Sequence, residues 1–177
     1  MDELVPTGAA GRLAIDFSDF FHKEHLRLGR AIYLVCGDRF EAEDLIQEAL
    51  ARAYERWDRV SVMREPAGYV YRTAVNLHRR RMRTRRLLRP LSEVREAAES
   101  DVAQQADRNA DVWSALSQLR HEQRAAVVLV ELLGYEPIAA ARLLGIAPGA
   151  LRVRLHRARA SLRQALGGED VRFTFSP

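Results

Sequence analysis

The sequence predicts an all-α chain of two helical modules joined by a flexible acidic linker. Three observations carry that expectation. Apolar residues recur at helical spacing through nearly every segment, and only the final VRFTFSP alternates as a short strand would. The stretch LSEVREAAESDVAQQADR, within residues 90–108, is acidic, poor in large apolar side chains and without a sharp period, as a linker would be. Charge also falls in blocks: residues 38–58 carry net −4, residues 66–90 net +8, residues 91–122 net −4 and residues 142–163 net +6. Two basic blocks beside two acidic ones suit two surfaces that face a polyanion and two that avoid it.

The length of 177 residues leaves room for two modules with modest cores. A composition of 47% apolar and 29% charged residues is that of a folded, soluble chain. No apolar run approaches the roughly 20 residues that cross a bilayer, so membrane insertion is not expected. The opening MDELVPTGAAGRLAIDF places acids before its first Arg and makes a poor secretory signal. Cys36 stands alone, which excludes an internal disulfide and a multi-Cys zinc site. His22 and His25 lack a third ligand nearby, so no metal is expected. No paired-carboxylate, nucleophile–base or phosphate-loop constellation is present; no catalytic residue, no cofactor and no enzyme activity are predicted. The expected location is the cytoplasm.

The elements follow in order. A first helix is predicted from a cap near Ser18 or Asp19 to Gly37, which suits a left-handed stop. Asp38 with Glu41 three residues on forms a possible capping box for a second helix, with Leu45, Ile46, Ala49, Leu50, Ala53, Tyr54 and Trp57 as its apolar stripe. Residues 58–65 read as a connection. Pro66 opens a third helix, since its missing N–H is an orphan in the first turn anyway. That helix turns Tyr69, Val70, Thr73, Ala74 and Leu77 inward and ends in an Arg run before Pro90. After the linker, Val112, Trp113, Leu116 and Leu119 make one helix, and Arg124 to Leu133 a second ended by Gly134. A short helix covers about Pro137 to Leu144, Gly145-Ile146-Ala147 turn, and Pro148 opens a last helix to about Leu166. The expected boundaries are an N-terminal extension 1–16, a first module 17–89, a linker 90–108, a second module 109–166 and a tail 167–177.

Residues 136–160 have the plan of a helix-turn-helix: short helix, Gly-containing turn, longer helix, with Ala141 and Gly145 four apart. Leu151, Leu155, Ala158 and Leu162 fall on the inward face. Arg152, Arg154, Arg157 and Arg159 are left for bases or phosphates, which Arg binds bidentately. Residues 69–86, YVYRTAVNLHRRRMRTRR, interleave aromatics and Arg on one helix, a pattern for phosphates and unpaired bases. Tyr69 and Tyr71 point to different faces, so at most one of them is purely core. Asn76 either meets a base edge or satisfies local backbone. The third segment, EAEDLIQEAL over 41–50, is acidic and suits a basic helical partner instead of DNA.

These segments, in this order, resemble the sigma-70 family of RNA polymerase sigma factors, specifically the small extracytoplasmic-function (ECF, group 4) type. The likeness covers about residues 17–89 and 109–166, with DLIQEA as the most specific string. It implies that the first module is sigma region 2, which binds core polymerase and reads and melts the −10 element. The second would be region 4, reading −35 through the helix-turn-helix. By residue, it implies that Asp44, Leu45, Gln47 and Glu48 dock on the β′ clamp helices. Trp57, Tyr69, Asn76, Arg79, Arg80 and Arg83 would face the −10 DNA. Arg152, Val153, Arg154, His156, Arg157 and Arg159 would face −35. The partners implied are core RNA polymerase (β′ clamp helices and β flap), promoter DNA and an anti-sigma factor. Departures from the family pattern cluster in the second module: Arg120 replaces a Pro after Leu119, Ile138-Ala139-Ala140-Ala141 lacks the usual acids, and Ala150 replaces a Thr. They point to weakened −35 binding. Two other classes fit parts of the chain: a stand-alone helix-turn-helix repressor, and an adaptor that binds RNA or an anionic surface through its Arg run.

Overall fold

A computed structural model describes residues 15–88 and 109–165. The expected linker at 90–108 and tail at 167–177, like residues 1–14, lie outside the described residues. Every regular element within the described residues is helical: α1 (Phe17–Cys36), α2 (Arg39–Tyr54), α3 (Trp57–Val60), α4 (Pro66–Leu88), α5 (Asn109–Ser117), α6 (His121–Val127), α7 (Pro137–Leu144) and α8 (Pro148–Ala165).

In the first module α1, α2 and α4 pack pairwise. Asp16 caps α1 by accepting from the Ser18 N–H, two residues earlier than the sequence suggested. Gly37 ends it at φ 83°, its N–H bonded to the Tyr33 carbonyl, as a left-handed cap requires. Asp38 then caps α2 through Glu41 N–H at 2.7 Å. The buried faces interleave large and small residues: Leu28, Ala31, Ile32 and Val35 from α1, Ala42, Leu45, Ala49 and Ala53 from α2, Val70 and Ala74 from α4. The alanines let the helix axes close up while the branched side chains fill the space between. Helix α2 stops three residues short of the stripe read from the sequence. Tyr54 is exposed, and Trp57 instead begins α3, turning part of the expected 58–65 connection into a helical turn.

In the second module α8 packs on α5, α6 and α7 through Leu151, Leu155, Ala158 and Leu162, the four residues read as its inward face. Helix α6 does not run on to Leu133 as one α-helix. It widens into a π-helical turn at Val128–Leu132.

The two modules are not independent in this structure; they share one continuous core. Tyr71 of α4 is fully buried, and its hydroxyl donates to the Ala125 carbonyl of α6 at 2.8 Å. That carbonyl also accepts the Val128 N–H at the start of the π turn. Arg124 reaches the Val35 carbonyl at the end of α1 (3.1 Å) and the Leu119 carbonyl (3.1 Å), with its guanidinium 4.9 Å from the Trp113 ring centroid. Trp113 lies against Gly37, where a Cβ would collide with the indole. Arg27 donates to the Leu133 carbonyl at 2.7 Å, and Leu143 fills the space over Gly68 of α4.

His121, at the start of α6, sits in this junction with its ring 5.0 Å from that of His78 on α4, and neither of its nitrogens has a hydrogen-bond partner. Burial is the main reason its imidazole is held neutral, with a pKa pushed down to about 4; His78, Arg79 and Arg124 lower it further, and Glu122 opposes them. On the other side of His78, Glu41 accepts from Nδ1 at 3.2 Å, and this bond, aided by the charges of His78 and Arg85, lowers the Glu41 pKa. The unfolded imidazole takes a proton near pH 6.5, whereas the folded one resists until about pH 4. Stability is therefore complete above pH 6.5 and falls as pH drops from there toward 4. At most about 3 kcal/mol is lost to this group. Chemical denaturation at pH 7.5 and 4.8 will show this loss in the wild type and a reduced loss in His121→Phe.

Candidate functional site

Helix α2 presents two faces. Leu45 is fully buried, so the structure leaves it no surface to offer a partner; it anchors the helix on the core instead. Asp44 and Gln47 are exposed on the opposite side, and Glu48 is half-buried. Phe40 stands one turn before Asp44 and is 77% exposed, the most exposed aromatic among the described residues. The sequence reading passed over it because it lies outside the apolar stripe, and that displacement was itself the signal.

Ion pairs tie α2 to α4. Arg81 meets Glu48 at 3.1 Å and approaches Asp44 at 3.9 Å, and Arg85 meets Glu41 at 3.0 Å; within α2 itself Arg52 also meets Glu48, at 2.6 Å. The Arg-rich end of α4 is thus divided. Arg81 and Arg85 turn toward the acids of α2, while Arg79, Arg80 and Arg83 point outward with no carboxylate partner among the described residues. Exposed and without a carboxylate, these three are open to a phosphate backbone.

A shallow groove lies between the end of α2 and the middle of α4. Tyr69, Asn76 and Arg80 line one side, and Arg52 and Arg56 the other. Tyr69 is half-buried with its ring at the groove wall, whereas Tyr71 belongs wholly to the core, as the helical angle between them required. Asn76 is exposed, with no hydrogen bond to local backbone among the described residues, so its amide is available to the groove. The groove combines an aromatic face, an amide and three guanidinium groups against one carboxylate, Glu55, and this excess of positive charge suits an unpaired base with its flanking phosphates. Sequence reasoning missed Arg52, on the last turn of α2, and Arg56, just before α3; only the crossing with α4 brings them to this place.

Trp57 does not join the groove. Its ring packs on Phe20 (centroids 4.9 Å) and edge-on to Phe17 (5.1 Å), and its indole N–H donates to the Ile15 carbonyl at 2.8 Å. These contacts make it a structural residue that secures the start of α1.

In the second module α7 ends at Gly145, whose φ of 67° makes the turn, and Ile146 N–H bonds back to the Ala141 carbonyl at 3.0 Å. Helix α8 then projects Arg152, Val153, His156 and Arg157 outward, with Arg154 half-buried. Val153 is 49% exposed, an apolar contact of the kind a thymine methyl accepts. Arg159 is engaged elsewhere: Glu131 accepts from its Nε at 3.0 Å and from its terminal nitrogen at 2.5 Å. Four of the six side chains placed at −35 by resemblance thus stand exposed on one outward surface. Arg154 stands partly so, and Arg159 would have to leave Glu131, whose Oε1 accepts from two of its nitrogens.

A helical module with an acidic face and a basic groove is thus followed by a helix-turn-helix, the plan of a protein that meets both DNA and a protein partner. Residues 20–87 match Sigma-70 region 2, and residues 110–162 match Sigma-70, region 4. The RNA polymerase sigma-E factor of Streptomyces coelicolor is 32% identical over 160 residues, covering 89% of each chain. The ECF RNA polymerase sigma factor SigM of Mycobacterium tuberculosis is 34% identical over 168 residues, covering 93% of this chain and 84% of its own. Among solved structures, the sigma factor RpoE of Bartonella quintana, in complex with the anti-sigma factor NepR, superposes with a TM-score of 0.75 at 25% identity, over 88% of this chain and 99% of that one. CnrH, in complex with the cytosolic domain of CnrY, shares the fold with a TM-score of 0.61 at 22% identity. The chain belongs to the sigma-70 family, in its ECF branch. It is a transcription initiation factor that directs RNA polymerase to promoters.

The placement of Trp57 gives a test of its role. Trp57→Phe keeps the aromatic cluster and removes one hydrogen bond. It should cost about 1 kcal/mol in urea unfolding and leave promoter melting, followed by permanganate reactivity of the −10 thymines, unchanged.

Proposed function

We propose a division of labour among three surfaces of this sigma factor. The exposed face of α2, carrying Asp44, Gln47, Glu48 and also Phe40, docks on the β′ clamp helices of core polymerase. The groove at the crossing of α2 and α4 takes the unpaired −10 strand, with Tyr69 and Asn76 at a base and Arg79, Arg80 and Arg83 along the backbone. The exposed start of α8 reads the −35 duplex through Arg152, Val153, His156 and Arg157, while the β flap of the polymerase holds the second module in place. What carries this reading is the segregation on one small module: acids and Phe40 on one side of α2, outward arginines and a free amide on α4. A surface built for DNA alone would gain nothing from an exposed acidic stripe.

No energy source is required for strand separation on this reading. Capture of unpaired bases by stacking and of phosphates by Arg offsets the lost base stacking. The first turn of α8 carries Ala150 and no side-chain hydroxyl, so region 4 binding should rest on Arg–phosphate contacts and be steeply salt-dependent. The factor would act in the cytoplasm with the polymerase. An anti-sigma partner is part of the proposal, supported by the similarity to RpoE of Bartonella quintana, which was solved with NepR.

Co-elution with core polymerase tests the docking face. Asp44→Arg should weaken core binding at least tenfold, and Phe40→Ala should weaken it by roughly tenfold, the scale of one Phe leaving a buried contact. Asn76→Ala should leave core affinity within about twofold while cutting open-complex yield severalfold. Undiminished transcription by Asp44→Arg would refute the docking assignment, and unaltered melting by Asn76→Ala would remove the groove from the −10 reading.

A further inference from the structure

Among the described residues, Arg159 is the one arginine of the helix-turn-helix that is paired with a carboxylate. Its partner, Glu131, is carried by the π-helical turn Val128–Leu132 that ends α6, and π turns of this kind are frequent at functional sites. Arg159 donates from Nε and from one terminal nitrogen to the same oxygen, Glu131 Oε1, at 3.0 and 2.5 Å. A guanidinium has five N–H donors in a planar fork. Contact along its Nε side leaves the end of the fork, one N–H from each terminal nitrogen, without an acceptor among the described residues. The Arg159 side chain is 52% exposed, so a ligand can approach that end.

The pair is poorly suited to a phosphate. An approaching phosphate is attracted by Arg159 and repelled by Glu131, so the two charges nearly cancel. To meet a phosphate with its full charge, Arg159 would have to leave Glu131; to read a base it can stay. The major-groove edge of guanine offers two uncharged acceptors, O6 and N7, that match the end of a guanidinium fork. Glu131 does not repel them, and it fixes the plane of the fork before DNA arrives. Arg159 also lies on the reading side of α8. At about 100° per residue, Arg152, His156 and Arg159 fall within about 60° of one another around the helix. Arg159 is about 10 Å along the axis from Arg152, roughly three base-pair steps of duplex.

We propose that Glu131 is a specificity-determining residue of the −35 contact: it holds Arg159 as a reader of a guanine and withholds it from the phosphate backbone. The inference rests on the region 4 reading above and adds Arg159 to the surface at the start of α8. Glu131 touches no DNA and acts as a positioning residue. It exchanges affinity for discrimination, since an unpaired Arg159 would tighten binding to any sequence.

Selection of DNA by the holoenzyme tests it. Core polymerase with the full chain is mixed with a duplex pool randomised over the length of a promoter, and the bound DNA is sequenced. Wild type should show a guanine preference of roughly tenfold at one −35 position, about three base pairs from the position whose preference Arg152→Ala removes. Arg159→Lys keeps the charge and the tie to Glu131 but has no fork, so the variant stays folded and that one preference should fall to about twofold or less. Glu131→Gln should weaken the same preference by roughly threefold while tightening binding to unselected duplex. It should also steepen the dependence of log affinity on log salt by about one unit, the share of one newly engaged phosphate.

Selection of the same −35 sequence by Arg159→Lys and wild type would overturn the assignment of Arg159. A Glu131→Gln variant that loses affinity for every sequence alike, with an unchanged salt slope, would make Glu131 a brace between the π turn and α8 and overturn the proposal. A wild-type holoenzyme that selects −10 and −35 elements without a guanine at the Arg159 position would do the same. If wild type selects no paired elements at all, the sigma reading fails, and this inference with it.

Discussion

Arg124 is the constraint from which the rest of the arrangement follows. The last carbonyls of a helix have no partner within it, and the end of α1 is covered by another part of the protein. Arg124 supplies donors to that end through Val35 and to the α5–α6 connection through Leu119, while the Trp113 face covers its charge. Burial lowers its pKa, as expected of a cation withdrawn from water. Removing such a group would uncover carbonyls in both modules at once, so the helix ends, the Trp113 seat and the Tyr71 bond are coupled.

Much of the fold was legible because its signals are local. Gly37 and Gly145 stop their helices with positive φ, Pro66 and Pro148 open theirs, and the spacing of Leu151, Leu155, Ala158 and Leu162 fixed the buried face of α8. The junction was not legible. Tyr71 bonds a backbone carbonyl 54 residues away, and a carbonyl has no side-chain identity for a pattern to reveal. The two modules also read as separate because the acidic stretch between them has the composition of a linker, and neither module's pattern marks the surface it turns to the other. The π turn at Val128–Leu132 escaped for a related reason: an apolar run with an interruption in its hydrogen bonding has the same periodicity as one without.

The candidate sites show the same limit at the level of single residues. Resemblance placed Leu45 and Trp57 at surfaces, but one is in the core and the other is a buttress for α1. A matching position tells which segment meets a partner; only the helix face tells which side chain does. The Arg run of α4 makes the point within one stretch of sequence. Residues of identical chemistry one or two positions apart serve either as ties to α2 or as an outward basic surface, depending on their angle around the helix.

Because both halves of the junction belong to one polypeptide, they meet at a local concentration on the order of 1 mM whatever the amount of protein in the cell. Contacts that would dissociate at about 100 μM between separate molecules would still keep the junction formed in roughly nine chains in ten. The fraction of chains with the junction formed would then be unaffected by how much protein is synthesised. Cutting the polypeptide between Leu88 and Asn109 would abolish that insulation and make the association of the halves obey ordinary dilution.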